Sequence, residues 1–244
     1  MKTSILCIIP LILSAADRTA IERLFDSKLN ATQRANACFE LRGNATAEVI
    51  AALGRALDDA DLRACAADNL RIASAIEPLK LALSHPEPQV RAVAARELGE
   101  IRKPGMLEPL SAAAADENAL VATNALAAIG MYPGKDAIPY LTVIAKRGGM
   151  TGDMALDRLS ELDAAAALTV ARALLTSPQV PDKLYAMKVI GAAGDSSDLS
   201  ELQKIAASNV ETLAQRDRGF GLMPPINLAR SAQAAIAAIE QRER

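Results

Sequence analysis

Apolar residues along this chain recur at the helical period instead of alternating. Val90, Ala94, Leu98 and Ile101 stand at i, i+4, i+8 and i+11, one stripe of a 3.6-residue repeat. Pro88 suits the first turn of that helix, where its missing N–H leaves nothing unsatisfied. Short polar breaks separate the stripes: Ser84-His85-Pro86-Glu87, Lys103-Pro104-Gly105, Asp116-Glu117-Asn118, Tyr132-Pro133-Gly134 and Gly194-Asp195-Ser196-Ser197. Asp or Ser at such a break can cap the helix that follows. The pattern predicts helix after helix with tight connections.

The helices also repeat as pairs, at a period of about 31 residues. Ile76-Glu77-Pro78-Leu79 returns as Leu107-Glu108-Pro109-Leu110, and with the proline one place early as Ile138-Pro139-Tyr140-Leu141. Val90-Arg91-x-x-Ala94-Ala95-x-x-Leu98-Gly99 is followed by Val121-Ala122-x-x-Ala125-Leu126-x-x-Ile129-Gly130. Seven pairs are expected, at 17–43, 46–73, 75–101, 106–131, 136–162, 164–193 and 197–241, filling 17–244 as one repeat domain. No linker rich in Gly, Pro or Ser marks a second domain. The fifth unit carries Gly148-Gly149 and Gly152 where its second helix should begin, which predicts a distorted entry. The seventh carries a long insertion.

Composition sharpens this picture. The 244 residues include 51 alanines, aromatics make up only 2% and there is no Trp. A core built from alanine gains little burial per residue, so its helices must approach one another closely. That requirement points to an all-α fold of stacked helices and away from a β-sandwich.

The run Pro86-x-Pro88-x-Val90-Arg91-x-x-Ala94-Ala95-x-x-Leu98-Gly99, followed by an apolar-Glu-Pro-Leu helix, resembles the HEAT repeat, particularly the short HEAT-like type of phycobilisome lyases and many bacterial proteins. The likeness is clear over 75–131, weaker at 46–73 and 136–193, and faint at both ends. It implies a right-handed α-α superhelix, an armadillo-like solenoid of about seven helical pairs. It is specific for fold and poor for function: members of the family mostly scaffold protein complexes, a few are bilin lyases, and a related helical-repeat group binds damaged DNA.

The N-terminus reads as a secretory leader. Met1-Lys2 is a short positive segment, Ile5 to Leu13 is apolar, and Ser14-Ala15-Ala16 supplies small residues before a cleavage expected ahead of Asp17. The apolar run is too short to span a bilayer. The alternative is a buried first helix in a cytoplasmic protein. Cleavage predicts a periplasmic or secreted chain with no stable membrane insertion, and leaves two cysteines, Cys38 and Cys65, in the second helices of adjacent repeats. They are candidates for a disulfide; the alternative is two small buried thiols.

Two further groups of residues are candidates for partner binding. Arg34, Arg63, Arg91 and Lys183 occupy matching register positions on second helices, with Ala122 and Asp153 interrupting the series. They form either a broken basic stripe for an acidic partner or a set of ion pairs to Asp61, Glu87 and Asp116 in neighbouring loops, their stems lying on alanine. The segment 208–225 holds Phe220, Leu222 and Met223 among Gly and Pro. It is either an exposed binding loop with an aromatic anchor or a cap over the last apolar face.

Catalytic and ligand motifs do not emerge. His85 is the single histidine, in a polar turn, so neither a zinc triad nor a Ser-His-Asp set can be assembled in the usual way. No phosphate-cradling glycine run occurs, and no cofactor or metal is expected. The formal net charge of −2 argues against non-specific nucleic-acid binding. The expectation is an exported, non-enzymatic interaction scaffold for another protein or peptide. A bilin-lyase-like enzyme and, behind it, a nucleic-acid-binding repeat protein are the alternatives.

Overall fold

A computed structural model describes residues 13–208, 211–212 and 226–244. Most of the proposed leader, and Phe220, Leu222 and Met223, lie outside the described residues. The described fold is helical, in two compact units that divide between Met131 and Tyr132.

The first unit holds four helical pairs: α1 (Ala15–Leu24) with α2 (Ala31–Glu40), α3 (Ala47–Ala56) with α4 (Arg63–Ile72), α5 (Ile76–Ala82) with α6 (Pro88–Ile101), and α7 (Leu107–Ala113) with α8 (Ala119–Gly130). The second holds three: α9 (Gly134–Lys146) with α10 (Gly149–Leu162), α11 (Ala164–Leu174) with α12 (Val180–Ala193), and α13 (Leu199–Ala207) with α14 (Leu228–Arg242). A short 3-10 turn, Ser196–Asp198, leads into α13, and the two-residue strands Glu211–Thr212 and Ile226–Asn227 pair antiparallel between the last two helices.

Local chemistry sets these boundaries. Asn30, Thr46, Asn118 and Asp163 each cap the following helix with a side-chain oxygen. Ser14 caps α1 and forms a reciprocal pair with Asp17, so the first helix begins two residues ahead of the expected cleavage point. Pro78 and Pro109 sit in the first turns of α5 and α7, where a proline is harmless. Pro139 does not, because α9 starts earlier, at Gly134, and takes the proline into its interior.

The core is a file of leucines and alanines. Leu24, Leu53, Leu79 and Leu110 are fully buried on successive first helices of the first unit, and Leu70, Leu98 and Ile129 on its second helices. Between them the helices meet over small residues. A methyl group added at Gly99 of α6 would stand 2.5 Å from the Ala128 Cβ of α8, far inside the carbon–carbon contact distance of about 3.5–4 Å. Gly191 of α12 faces Ala235 of α14 at 3.2 Å in the same way. Close approach over Ala and Gly is what allows so aromatic-poor a chain to bury a core. Among the described residues, no helix is long and apolar enough to cross a membrane.

Candidate partner-binding surfaces

The recurring arginines stand at or near the first turns of α2, α4 and α6, and each reaches the loop that precedes the second helix of the next pair. Arg34 grips Asp59 with one amino group and holds Asp61 at 3.1 Å with the other. Arg63 donates from Nη2 to Glu87 at 2.8 Å and from Nε to the Leu57 carbonyl at 2.9 Å. Arg91 takes Asp116 in both arms, at 2.7 and 2.8 Å, while its third nitrogen bonds the His85 and Pro86 carbonyls. The two-point contact of Arg91 with Asp116 is the stronger kind of charged hydrogen bond.

The carboxyl groups respond. The Arg91 guanidinium holds Asp116 below the usual carboxylate range against the opposing effect of burial. At Asp59, burial pushes the other way but is outweighed by the hydrogen bond from Arg34 and by backbone amides. The three arginines therefore join one repeat to the next, and their charge is already met inside the fold. Lys183 stands apart, half-buried on α12 in the second unit. A corresponding clamp there comes from a first helix: Arg172 of α11 bonds Asp198 at 2.7 and 2.9 Å and Asp195 at 3.2 Å. The sequence register did not single out Arg172, because it lies on the other helix of its pair.

Two more cross-links run between second helices. Asn69 of α4 donates to the Cys38 carbonyl of α2 at 2.7 Å, and Asn124 of α8 donates to the Ala92 carbonyl of α6 at 3.0 Å. Their separations of 31 and 32 residues match the repeat period. Beside the first of them, Cys38 and Cys65 are joined as a disulfide, with Cα atoms 6.3 Å apart.

With the second-helix arginines occupied, an open feature of the first unit lies along its first helices. A groove of about 590 Å³ runs between α3 and α5, with Ile50, Gly54, Pro78, Leu81 and Ala82 in its walls. Leu81 is 78% exposed. Nearby, Phe25 carries the Arg55 guanidinium 4.5 Å above its ring. Asp58, Glu77 and His85 supply polar groups at the margin. His85 is not a free turn residue. Its Nε2 lies 3.0 Å from Asp58, and its Nδ1 accepts the Glu87 amide at 3.1 Å. It ties two repeats together.

A second concavity lies in the second unit, between the first turns of α10 and α12. Its distinguishing groups are two buried acids, Asp153 and Asp182, each 3% exposed. Asp153 marks the position at which the sequence register shows an interruption of the basic series. Nothing in that register signals that the acid is buried.

Residues 76–148 match the family model for HEAT repeats. No curated protein matches the chain. Among solved structures, human deoxyhypusine hydroxylase in complex with glycerol is similar at 20% identity over 92% of this chain and 96% of that one, with a TM-score of 0.39. An engineered protein is similar at 17% identity over 93% and 97%, with a TM-score of 0.34. A designed armadillo repeat protein in complex with the peptide (KR)4 is similar at 18% identity over 93% and 100%, with a TM-score of 0.31.

Proposed function

We propose that this chain, which carries HEAT repeats over residues 76–148, is an exported binding module that holds a segment of another protein. The observation that carries the reading is the groove between α3 and α5, where Leu81 stands 78% exposed beside Ile50 and Pro78. Leaving a leucine in water forgoes roughly 1.5–3 kcal/mol of burial, and apolar grooves rimmed by polar groups are common sites of protein association. The second-helix face is the weaker candidate, since Arg34, Arg63 and Arg91 are committed to Asp59, Glu87 and Asp116. The same commitment leaves those arginines poorly placed to neutralise phosphates, which disfavours a nucleic-acid partner. Export is supported by the leader-like pattern of residues 1–16 and by the Cys38–Cys65 pair, a bond that persists in oxidising compartments.

The test is a photo-crosslinking residue placed at Leu81 in the full chain, expressed in its own host. A discrete crosslinked protein that disappears on Leu81→Asp, with the helical spectrum unchanged, supports the reading. Crosslinking no different from that at an exposed site such as Lys135 counts against it.

A further inference from the structure

The disulfide between Cys38 and Cys65 has a polar neighbour buried against it. Asn69, one turn after Cys65 on α4, is 1% exposed. Its Nδ2 donates to the Cys38 carbonyl at 2.7 Å, and it lies 3.7 Å from the Cys38 Sγ and 3.9 Å from the Cys65 Sγ. The carbonyl contact fixes which end of the amide is the nitrogen. An amide nitrogen carries two hydrogens. One is engaged by the carbonyl, which leaves the other for the two sulfurs. On the same amide, Oδ1 is buried and accepts no hydrogen bond among the described residues.

Beside a permanent staple this amide is badly served. A bridged sulfur is a weak acceptor and has no hydrogen to give, so one donor is poorly met and one acceptor is not met at all, which costs stability. Reduction changes both sides. A thiolate is a charged and therefore stronger acceptor for the Nδ2–H, and a protonated thiol carries the S–H donor that a disulfide lacks. The two cysteines also differ. Cys38 is fully buried in the last turn of α2, whereas Cys65 is half-buried in the first turn of α4. A helix N-terminus favours a thiolate, and no side chain caps this one.

We propose that Cys38 and Cys65 form a reversible thiol–disulfide site, opened by a low-molecular-weight thiol, with Asn69 as the positioning residue that stabilises the reduced pair. The incoming thiolate attacks the Cys65 Sγ, the sulfur of the less buried residue. The Cys65–Cys38 bond breaks as a mixed disulfide forms, and its electron pair leaves on the Cys38 Sγ beside the Asn69 Nδ2. A second small thiolate then attacks the small-molecule sulfur of the mixed disulfide, which releases Cys65 and forms the small disulfide. Two thiols thus give two electrons to the bridge, and each protein sulfur takes up one proton. The bridge spans α2 and α4, so its state sets how firmly the first helical pair is tied to the second. The inference goes beyond the binding-module reading and does not rest on it.

The experiment equilibrates the full chain, with Cys7→Ala throughout, in a series of reduced and oxidised glutathione buffers at pH 7, then quenches it with acid, alkylates it and weighs it. The parent is expected to pass from oxidised to reduced within the series. Asn69→Leu keeps the shape of the side chain and removes both polar ends. The loss of the Cys38 carbonyl contact is common to both redox states and cancels, so a residue with a purely structural role would leave the midpoint in place. The expected shift is about tenfold toward more reduced glutathione, about 30 mV for a two-electron couple. Asn69→Ala repeats the comparison should the leucine chain not fold. Asn124→Leu, which removes the corresponding carbonyl contact between α8 and α6, a seam without cysteine, is expected to leave the midpoint unchanged. A parent that stays oxidised in excess reduced glutathione overturns the proposal whatever the variants do. So does an Asn69 variant with the parental midpoint or the opposite shift, or an equal shift in Asn124→Leu.

Discussion

Gly99→Ala and Gly130→Ala change the same position of neighbouring repeats and should shift stability in opposite directions. Both glycines sit in the last turns of second helices, α6 and α8, where alanine is intrinsically the better residue by about 1 kcal/mol. At Gly130 an added methyl meets nothing within 4 Å, so most of that gain should be realised, roughly 0.5–1 kcal/mol. At Gly99 the methyl would stand 2.5 Å from the Ala128 Cβ and 2.7 Å from its Cα, with the Met131 sulfur at 3.4 Å. The methionine can swing away, but the alanine cannot, because its Cα is backbone and its Cβ is fixed to it. Relief requires α6 and α8 to separate by something near 1 Å along a seam of buried alanines, and forced overpacking of this kind costs about 1–3 kcal/mol. Set against the propensity gain, Gly99→Ala should lose up to about 2 kcal/mol, which lowers the melting temperature by roughly 2–4 °C per kcal/mol in a chain of this size. Urea titrations followed by far-ultraviolet dichroism measure both variants against the parent. If Gly99→Ala proves as stabilising as Gly130→Ala, the close approach of α6 and α8 is wrong.

Other expectations follow from the same geometry. Asp153 titrates near 6 in the folded chain against an ordinary value of 3.8, so the folded state holds its proton more tightly. The destabilisation is absent below about pH 3.8, grows as pH rises through the interval to 6, and is complete above it, bounded at roughly 3 kcal/mol. Asp153→Asn should accordingly raise the melting temperature at pH 8 and lose that advantage at pH 4; a pH-independent difference would contradict it. The Cys38–Cys65 bond closes a loop with a sequence separation of 27, worth about 3.5 kcal/mol by chain entropy. A reductant should therefore lower the thermal midpoint of the parent and leave a Cys38→Ala, Cys65→Ala chain unchanged. Non-reduced mass spectrometry should find the oxidised form lighter by two hydrogens. Gly148→Ala combines a positive φ with a collision against Asp182 and should destabilise the second unit by more than about 1 kcal/mol, read as faster amide exchange in α10 and α12 than in α2 and α4.

The helical class and its pairing are legible in the sequence because they rest on local signals. The stripe Val90, Ala94, Leu98, the prolines at first turns, and the asparagine and aspartate caps each act within a few residues of themselves. The start of α9 is less legible: the motif places Pro139 one position ahead of the one Pro78 holds, in a first turn, while the chain enters the helix early at Gly134 and carries the proline inside. Side-chain partners across repeats are harder still. Arg34, Arg63 and Arg91 stand out in the register, and so do carboxylates about 25 residues further on. Whether the two sets face each other or a partner depends on which way the loops turn, and loop direction has no periodic signature. Asp153 shows the limit most clearly. In sequence it is a gap in a basic series, and only the packing of α10 against α12 makes it a buried acid next to another.

The recurring arginines are where cohesion and recognition can be told apart most directly, and Arg63 is the most enclosed of them, at 9% exposure. A urea denaturation of Arg63→Met at pH 7 keeps the stem and removes the charge. If Arg63 joins its repeat to the next, the variant leaves the Leu57 carbonyl without its 2.9 Å donor and Glu87 without its partner, and should lose about 2 kcal/mol or more. A loss within about 0.5 kcal/mol, as for an arginine held in reserve on the surface, would show instead that the basic series exists for a partner.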